Sequence, residues 1–82
     1  MRLNLRRVRE AQGLKLKDVA QHCYIDVERL RAIEQYKELP EFTEVIRILK
    51  YTNFYFDEIV FIIWQDIEYH YKPLERTDSN DE

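Results

Sequence analysis

The sequence is poor in the residues that make tight turns and crosslinks. It has one glycine, two prolines and one cysteine among 82 residues. So few glycines and prolines argue against an all-β fold with many turns and favour helices with short connections. A single cysteine forms no internal disulfide, so nothing points to secretion or an oxidising compartment. One glycine also excludes a glycine-rich phosphate-binding loop.

Long apolar runs are missing as well. The longest one, Ile59 to Trp64, is far too short to span a bilayer. The N-terminal segment MRLNLRRVRE has no apolar stretch long enough for a signal peptide. We therefore expect a cytoplasmic protein that does not enter a membrane.

The composition that is present suffices for one folded domain with one modest core, since 45% of the residues are hydrophobic. The net charge of -3 is unevenly distributed. Residues 1–31 carry eight Lys/Arg against four acids, a net +4, whereas residues 32–82 carry five against twelve, a net -7. A local positive field can attract phosphate even when the whole chain is acidic.

The segment 13–35, GLKLKDVAQHCYIDVERLRAIEQ, organises the chain. It holds two apolar sets at helical spacing, separated by Asp26, a good N-cap residue: Val19, Ala20 and Cys23, then Leu30 and Ile33. Two short helices joined by a tight turn, with a charged outer face, form the outline of a helix-turn-helix. Further helices are predicted at 2–12, 42–51 and 57–61, with Gly13 and Asn53 as left-handed residues after two helix ends.

The segment 62–74 has a different pattern. From Ile63 to Tyr71 its side chains alternate, and β-branched and aromatic residues are frequent. This pattern favours a β-strand over the alternative, a continued helix. A single strand needs a partner, either the N-terminal MRLNL or the same strand of another subunit. Candidate dimer or sheet residues are Ile63, Trp64, Ile67, Tyr69 and Tyr71.

These patterns divide the chain into three parts. Residues 1–61 are predicted to form a helix-turn-helix domain, and residues 62–74 a strand-like extension for a sheet or dimer. Residues 75–82 are acidic and polar and are predicted to form a disordered tail.

From Leu5 to Ile59 the sequence resembles the phage-repressor and Cro (Xre-type) helix-turn-helix family. The matching residues are Leu5-Arg6, Arg9-Glu10, Gly13-Leu14, Asp18-Val19-Ala20, Ile25, Leu30, Ile33-Glu34, Pro40, Ile48, Lys50, Asn53 and Asp57-Glu58-Ile59. Two pieces, Gly-Leu-x-Leu-x-Asp-Val-Ala and Ala-Ile-Glu…Leu-Pro, are also similar to the cytoplasmic helix-turn-helix of RodZ-type proteins, which binds protein. The resemblance implies a mainly α, five-helix repressor-like domain whose third helix enters the major groove.

The resemblance also assigns roles to single residues. It implies an ion pair between Arg9 and Glu34; on its own, Arg9 is a solvated arginine. The candidate DNA-binding residues are Lys15, Lys17, Val27, Glu28, Arg29, Arg31, Ala32 and Lys37. Among these, Arg29 and Arg31 are the strong donors, and the lysines are candidate phosphate contacts.

Several positions depart from the family pattern, and all of them concern DNA. Leu16 stands where a glutamine or another polar residue is usual, Lys15 replaces a small capping residue, and Tyr24 replaces the glycine of the turn. A tyrosine with positive φ is strained unless the turn has changed. The reading face of Val27, Glu28 and Ala32 is apolar and acidic.

Two functions fit the sequence. The first is a sequence-specific DNA-binding transcriptional regulator, acting as a homodimer on double-stranded DNA. The alternative is a protein-interaction module on the same fold, such as an antirepressor, a repressor partner or a scaffold adaptor. No enzyme, cofactor or metal site is predicted: Cys23 is expected to be a buried, inert thiol, and the spacing of His22, Cys23 and His70 does not fit metal ligation.

Overall fold

The computed structural model describes the backbone of residues 3–79 and the side chains of residues 3–71. The described chain contains five helices: α1 (Leu5–Ala11), α2 (Leu16–His22), α3 (Val27–Glu34), α4 (Phe42–Tyr51) and α5 (Asp57–Ser79). The prediction of a mainly α, five-helix fold is confirmed. No strand occurs within residues 3–79.

Side chains cap the starts of three helices. The Asn4 carboxamide accepts a hydrogen bond from the Arg7 N–H at 2.9 Å. Asp26 caps α3, as predicted, and accepts from the N–H groups of Glu28 at 3.0 Å and Arg29 at 3.3 Å. At α4 the carboxylate of Glu44 reaches back to the Glu41 N–H at 2.8 Å. These bonds satisfy N–H groups that have no partner within the first turn of a helix.

Each of the first four helices is followed, two positions after its last residue, by a residue with positive φ: Gly13 (69°), Tyr24 (58°), Tyr36 (62°) and Asn53 (64°). The next N–H along the chain closes the turn onto the helix; at Gly13, for example, the Leu14 N–H donates to the Arg9 carbonyl at 3.2 Å. This is the Schellman arrangement. Gly13 and Asn53 were predicted in this conformation, whereas Tyr24 and Tyr36 hold it although tyrosine has no intrinsic preference for it.

The core lies between the helices and draws on all five of them. Its buried hydrophobic residues are Leu5, Val8, Val19, Ala20, Cys23, Ile25, Leu30, Ile33, Val45, Ile48, Leu49, Ile63 and Ile67. The inner faces predicted for α2 and α3 are all in this set. The buried hydroxyl of Thr52 donates to the Ile48 carbonyl at 2.8 Å, so this polar group does not disturb the core.

The strand predicted for residues 62–74 is wrong, because these residues continue α5. Ile63 and Ile67, one helical turn apart, are buried, whereas Gln65 and Tyr69 are exposed. In a strand all four side chains would share one face. The strand was predicted because two apolar residues four positions apart fit the two-residue period of a strand as well as one turn of a helix.

The extension is therefore part of the last helix rather than a separate sheet element. The backbone of α5 continues to Ser79, while residues 80–82 lie outside the described residues. The three-part division of the chain and the disordered tail stay predictions.

Candidate nucleic-acid interface

Helices α2 and α3 are held by the rest of the core so that the outer side of α3 faces solvent. Arg47, on α4, donates from Nη1 to the Cys23 carbonyl at 2.9 Å, and so binds the end of α2. The His22 ring stacks on Tyr51 of α4 with ring centroids 4.7 Å apart. These two contacts hold α4 against the end of α2. They leave the turn and the first residues of α3 accessible.

The predicted base-reading residues share this outer side. Glu28 is exposed, whereas Val27 and Ala32 are half-buried, and Val27 packs against the core. Short apolar side chains can contact a thymine methyl, and a carboxylate can accept from the cytosine amino group. The face therefore offers apolar contacts and one acceptor, but these three residues contribute no donor.

Arg31 is the exposed donor of this face. Its Nη1 lies 2.6 Å from the Glu28 carboxylate one turn earlier, and both side chains are solvent-accessible. The hydrogen bond to Glu28 raises the pKa of Arg31 further above its ordinary value. An exposed pair of this kind contributes little to stability, so another anion can replace Glu28 at low cost.

Arg29 was predicted to be a donor to DNA, but its guanidinium group is bound to two carboxylates of the same chain. Its Nε and Nη2 each donate to Glu44 at 2.8 Å, and its Nη1 donates to Glu38 at 2.7 Å. These bonds raise the pKa of Arg29 and lower the pKa of the Glu44 carboxyl. Glu44 is buried, so the arginine neutralises a charge inside the fold. Arg29 therefore joins α3 to α4 and is withdrawn from the candidate DNA contacts.

The three candidate phosphate-binding lysines surround the helix-turn-helix. Lys15 occupies the N-cap position of α2, Lys17 lies in its first turn, and Lys37 follows the end of α3. All three are exposed, and none forms an ion pair with any side chain of residues 3–71. Flexible ammonium groups of this kind suit contacts to a phosphate backbone.

Arg9 and Glu34 are brought together as a bidentate pair. Arg9 Nε and Nη2 donate to the two carboxylate oxygens at 2.7 and 2.9 Å, and Nη1 donates to the Leu14 carbonyl at 2.9 Å. Only 12% of the arginine and 7% of the glutamate side chain are exposed. The pair fixes α1 against the end of α3 and positions both relative to the start of α2.

A groove of about 170 Å³ opens beside this pair, lined by Arg6, Arg9, Leu16, Arg31, Glu34 and Gln35. It connects α1 to the outer side of the helix-turn-helix and holds three guanidinium groups against one carboxylate. The sequence analysis did not select Arg6 or Gln35. The spacing of Arg6, three residues before Arg9, could have indicated that it shares the same side of α1.

The five candidate dimer residues do not form one surface. Ile63 and Ile67 belong to the core, and Trp64 and Tyr71 are half-buried, whereas 55% of Tyr69 is exposed. Core residues do not form a dimer contact, so Ile63 and Ile67 are withdrawn. Ile62, another accessible apolar residue of α5, precedes Tyr69 by seven positions and therefore lies on the same side of the helix.

The side chains of Cys23 and His70, which could in principle react or bind a metal, are both engaged in packing. Burial raises the pKa of the Cys23 thiol, partly opposed by Arg47, and so keeps it protonated. The His70 ring stacks on Tyr36 with ring centroids 3.5 Å apart. Across the described residues, no three His, Cys, Asp or Glu side chains are grouped to hold a metal ion.

Comparison with known families agrees with this geometry. A family model described as a helix-turn-helix domain matches residues 4–50, more than half of the chain. The chain belongs to the helix-turn-helix domain family. This family is part of the Xre/Cro-like group, whose fold is regulatory and DNA-binding and is not typically enzymatic. No curated protein and no solved structure matches the chain. In the described part of this helix-turn-helix protein, no helix is both long enough and apolar enough to cross a membrane.

Proposed function

We propose that this helix-turn-helix protein is a sequence-specific DNA-binding transcriptional regulator that acts as a homodimer in the cytoplasm. One observation carries the proposal: the outer side of α3 is exposed and is flanked by Lys15, Lys17 and Lys37, three exposed lysines that form no ion pair among the side chains of residues 3–71. Helices presented in this way enter the major groove while flanking cations hold the phosphates.

Arg31 is the proposed base-reading donor. A guanidinium can bind the O6 and N7 acceptors of guanine in a bidentate manner. On DNA, Arg31 exchanges the Glu28 carboxylate for the base edge, and Glu28 is left to accept from a cytosine amino group. Val27 and Ala32 add contacts to thymine methyl groups. The groove containing Arg6 and Arg31 gives a phosphate oxygen a place beside α1.

Dimerisation is proposed through the exposed side of α5 that carries Ile62 and Tyr69. One helix-turn-helix reads only a short site, and two copies bound one helical turn apart reach useful affinity. Ile62 is 41% and Tyr69 55% exposed, and both belong to the longest helix of the described chain. Changing Ile62→Arg should convert a dimer to a monomer in sedimentation equilibrium and leave the helix content in circular dichroism unchanged; the unfolding temperature should fall only by what the lost dimer contact contributes.

A gel shift tests DNA binding. Pooled genomic fragments should be retained at roughly 50 mM salt and released as the salt concentration rises. Arg31→Ala should weaken binding about tenfold because a bidentate base contact is lost. Glu28→Gln should strengthen binding, because it removes a negative charge from the interface and releases Arg31.

The matched control is Glu58→Gln, which removes the same charge from the first turn of α5. Its effect on binding should be small. If Glu58→Gln and Glu28→Gln act alike, net charge rather than the α3 face governs binding. No retained DNA at micromolar protein would contradict the proposal.

The second candidate is a protein-interaction module on the same fold, with weak or no DNA binding. It is favoured by the engagement of both strong donors, since Arg29 is bound to Glu38 and Glu44 and Arg31 to Glu28. In that case Arg31→Ala leaves nucleic-acid retention at the level of the unchanged protein, and partner binding maps to exposed apolar side chains.

A further inference from the structure

Three aromatic side chains, two exposed and one half-buried, are grouped where the start of α4 meets α5. The rings of Phe42 and Trp64 make an edge-to-face contact with centroids 5.4 Å apart. Phe61 lies one turn before Trp64 on the same side of α5. Phe42 is 51% and Phe61 63% exposed. We name Phe42, Phe61 and Trp64 the aromatic patch. Large apolar side chains grouped on a surface mark binding sites more often than isolated ones do.

Carboxylates border the aromatic patch. Glu41 directly precedes Phe42, and Glu68 follows Trp64 by one turn of α5; both are exposed. Glu38 lies near Tyr71, two turns beyond Trp64: burial raises the pKa of the Tyr71 phenol, and the Glu38 carboxylate raises it further. Arg29 offsets part of this charge through Glu38, but it also serves the buried Glu44. The border therefore keeps a negative character.

The charge of this border decides which kind of partner fits. Two copies meeting through the aromatic patch would bring like carboxylates together, which opposes such a dimer. The basic part of the chain cannot serve as the partner either, since its only large exposed apolar side chain within residues 3–31 is Tyr24. Anionic lipid and nucleic acid would meet the same repulsion.

We propose that the aromatic patch docks a basic amphipathic helix of a partner protein. The apolar side of such a helix would cover Phe42, Phe61 and Trp64, as in other helix-in-groove contacts. Its lysines and arginines would bind Glu38, Glu41 and Glu68, and could also lie over the aromatic rings. The aromatic patch belongs to α4 and α5 and does not depend on the proposed DNA binding, although one border carboxylate, Glu38, is bound to Arg29 of α3.

Trp64 is the only tryptophan of the chain and reports directly on the patch. The full chain is titrated with a synthetic amphipathic helix of leucine and lysine, labelled for anisotropy. Saturable binding should accompany a blue shift of the Trp64 emission, because the partner removes water from the indole. The same leucine pattern with glutamate in place of lysine should not bind.

Three variants locate the binding site. Phe61→Ser and Glu68→Lys should each weaken binding about tenfold, because one removes an apolar contact and the other reverses a border charge. Glu10→Lys makes the same change of net charge on α1, away from the patch, and should bind like the unchanged chain. Circular dichroism of all three checks that they are folded.

Three results would overturn the proposal. Glu10→Lys and Glu68→Lys could weaken binding equally, which would reduce the effect to the net charge of an acidic protein. The lysine and glutamate peptides could also bind alike, or vesicles of anionic lipid could produce the same blue shift. The gel shift of Glu68→Lys is measured in parallel; an unchanged value separates this site from the DNA-binding face.

Discussion

Arg29 connects three segments of the chain through one guanidinium group. It binds Glu44 on α4 and Glu38 in the connector, and it belongs to α3. Glu44 is only 9% exposed in its side chain, so without Arg29 its buried charge would lose its bidentate guanidinium partner and keep only the more weakly acting Arg47. Breaking such a pair costs more than the pair contributes compared with an apolar replacement. At the scale of single residues, the contribution of an arginine to stability therefore depends on which groups surround its side chain, and not on its charge alone.

Replacing Arg29 should destabilise the fold, whereas replacing Arg31 should not. Arg29→Ala should lower the free energy of unfolding by about 2 kcal/mol, less than for a fully buried pair because a third of Arg29 is exposed. Arg31→Ala removes an exposed pair and should leave the free energy of unfolding nearly unchanged. Urea unfolding of both variants measures the difference. Equal effects would contradict a structural role that belongs to Arg29.

The two tyrosines with positive φ should respond oppositely to glycine. Tyr24 is 87% exposed, so Tyr24→Gly loses little packing and relieves an unfavourable backbone conformation, raising stability by about 1 kcal/mol. Tyr36 donates its hydroxyl hydrogen bond to Asp66 and stacks on His70. Tyr36→Gly should therefore lower the melting temperature although its backbone is relieved in the same way. Thermal unfolding of both variants tests this; a stabilised Tyr36→Gly would contradict it.

At the scale of elements, α5 depends on two isoleucines one turn apart. Ile63→Ala should cost about 3 kcal/mol, because it leaves a cavity in the core. Gln65→Ala changes an exposed side chain and should cost less than about 0.5 kcal/mol. Chemical denaturation measures both. Similar costs would mean that positions 63 and 65 share one buried face, as they would in a strand.

The helices could be predicted from the sequence where a local pattern is compatible with only one backbone structure. Asp26 before an apolar period could only begin α3, and Gly13 could only follow a helix end. The spacing of apolar residues in α5 is compatible with a strand and with a helix. Contacts with residues of α4, which lie far away in the sequence, select the helix. Arg29 shows the same limit for the site: its partners lie 9 and 15 positions away, and no local pattern states which side of α3 meets them.

At the scale of the whole molecule, charge is separated between the two ends of the sequence. Residues 1–31, which include the sequence of α1 and α2, carry a net +4, and residues 32–82 carry a net -7. An acidic region such as residues 32–82 repels DNA. This repulsion favours orientations in which the basic region faces the DNA.

Salt dependence should report the number of lysines in contact with DNA. A dimer placing Lys15, Lys17 and Lys37 of each copy on phosphates releases counterions from roughly six of them, for a slope of log K against log salt of about -5. Lys15→Gln should reduce the slope by about 2, because two contacts are lost. Fluorescence anisotropy at several salt concentrations measures it. An unchanged slope would remove Lys15 from the interface.

The stack of Tyr36 on His70 has a geometric consequence for the proposed dimer. Tyr36 lies two positions after the end of α3, and His70 lies more than three turns into α5. The Asp66 carboxylate accepts a hydrogen bond from the Tyr36 hydroxyl beside the stack, so two contacts hold the end of α3 against α5. When two copies pair through α5, these contacts transmit the crossing angle of that pair to the two copies of α3. The angle at which two α5 helices cross would then set the operator's half-site spacing, and loosening these contacts would widen the range of spacings that one dimer accepts.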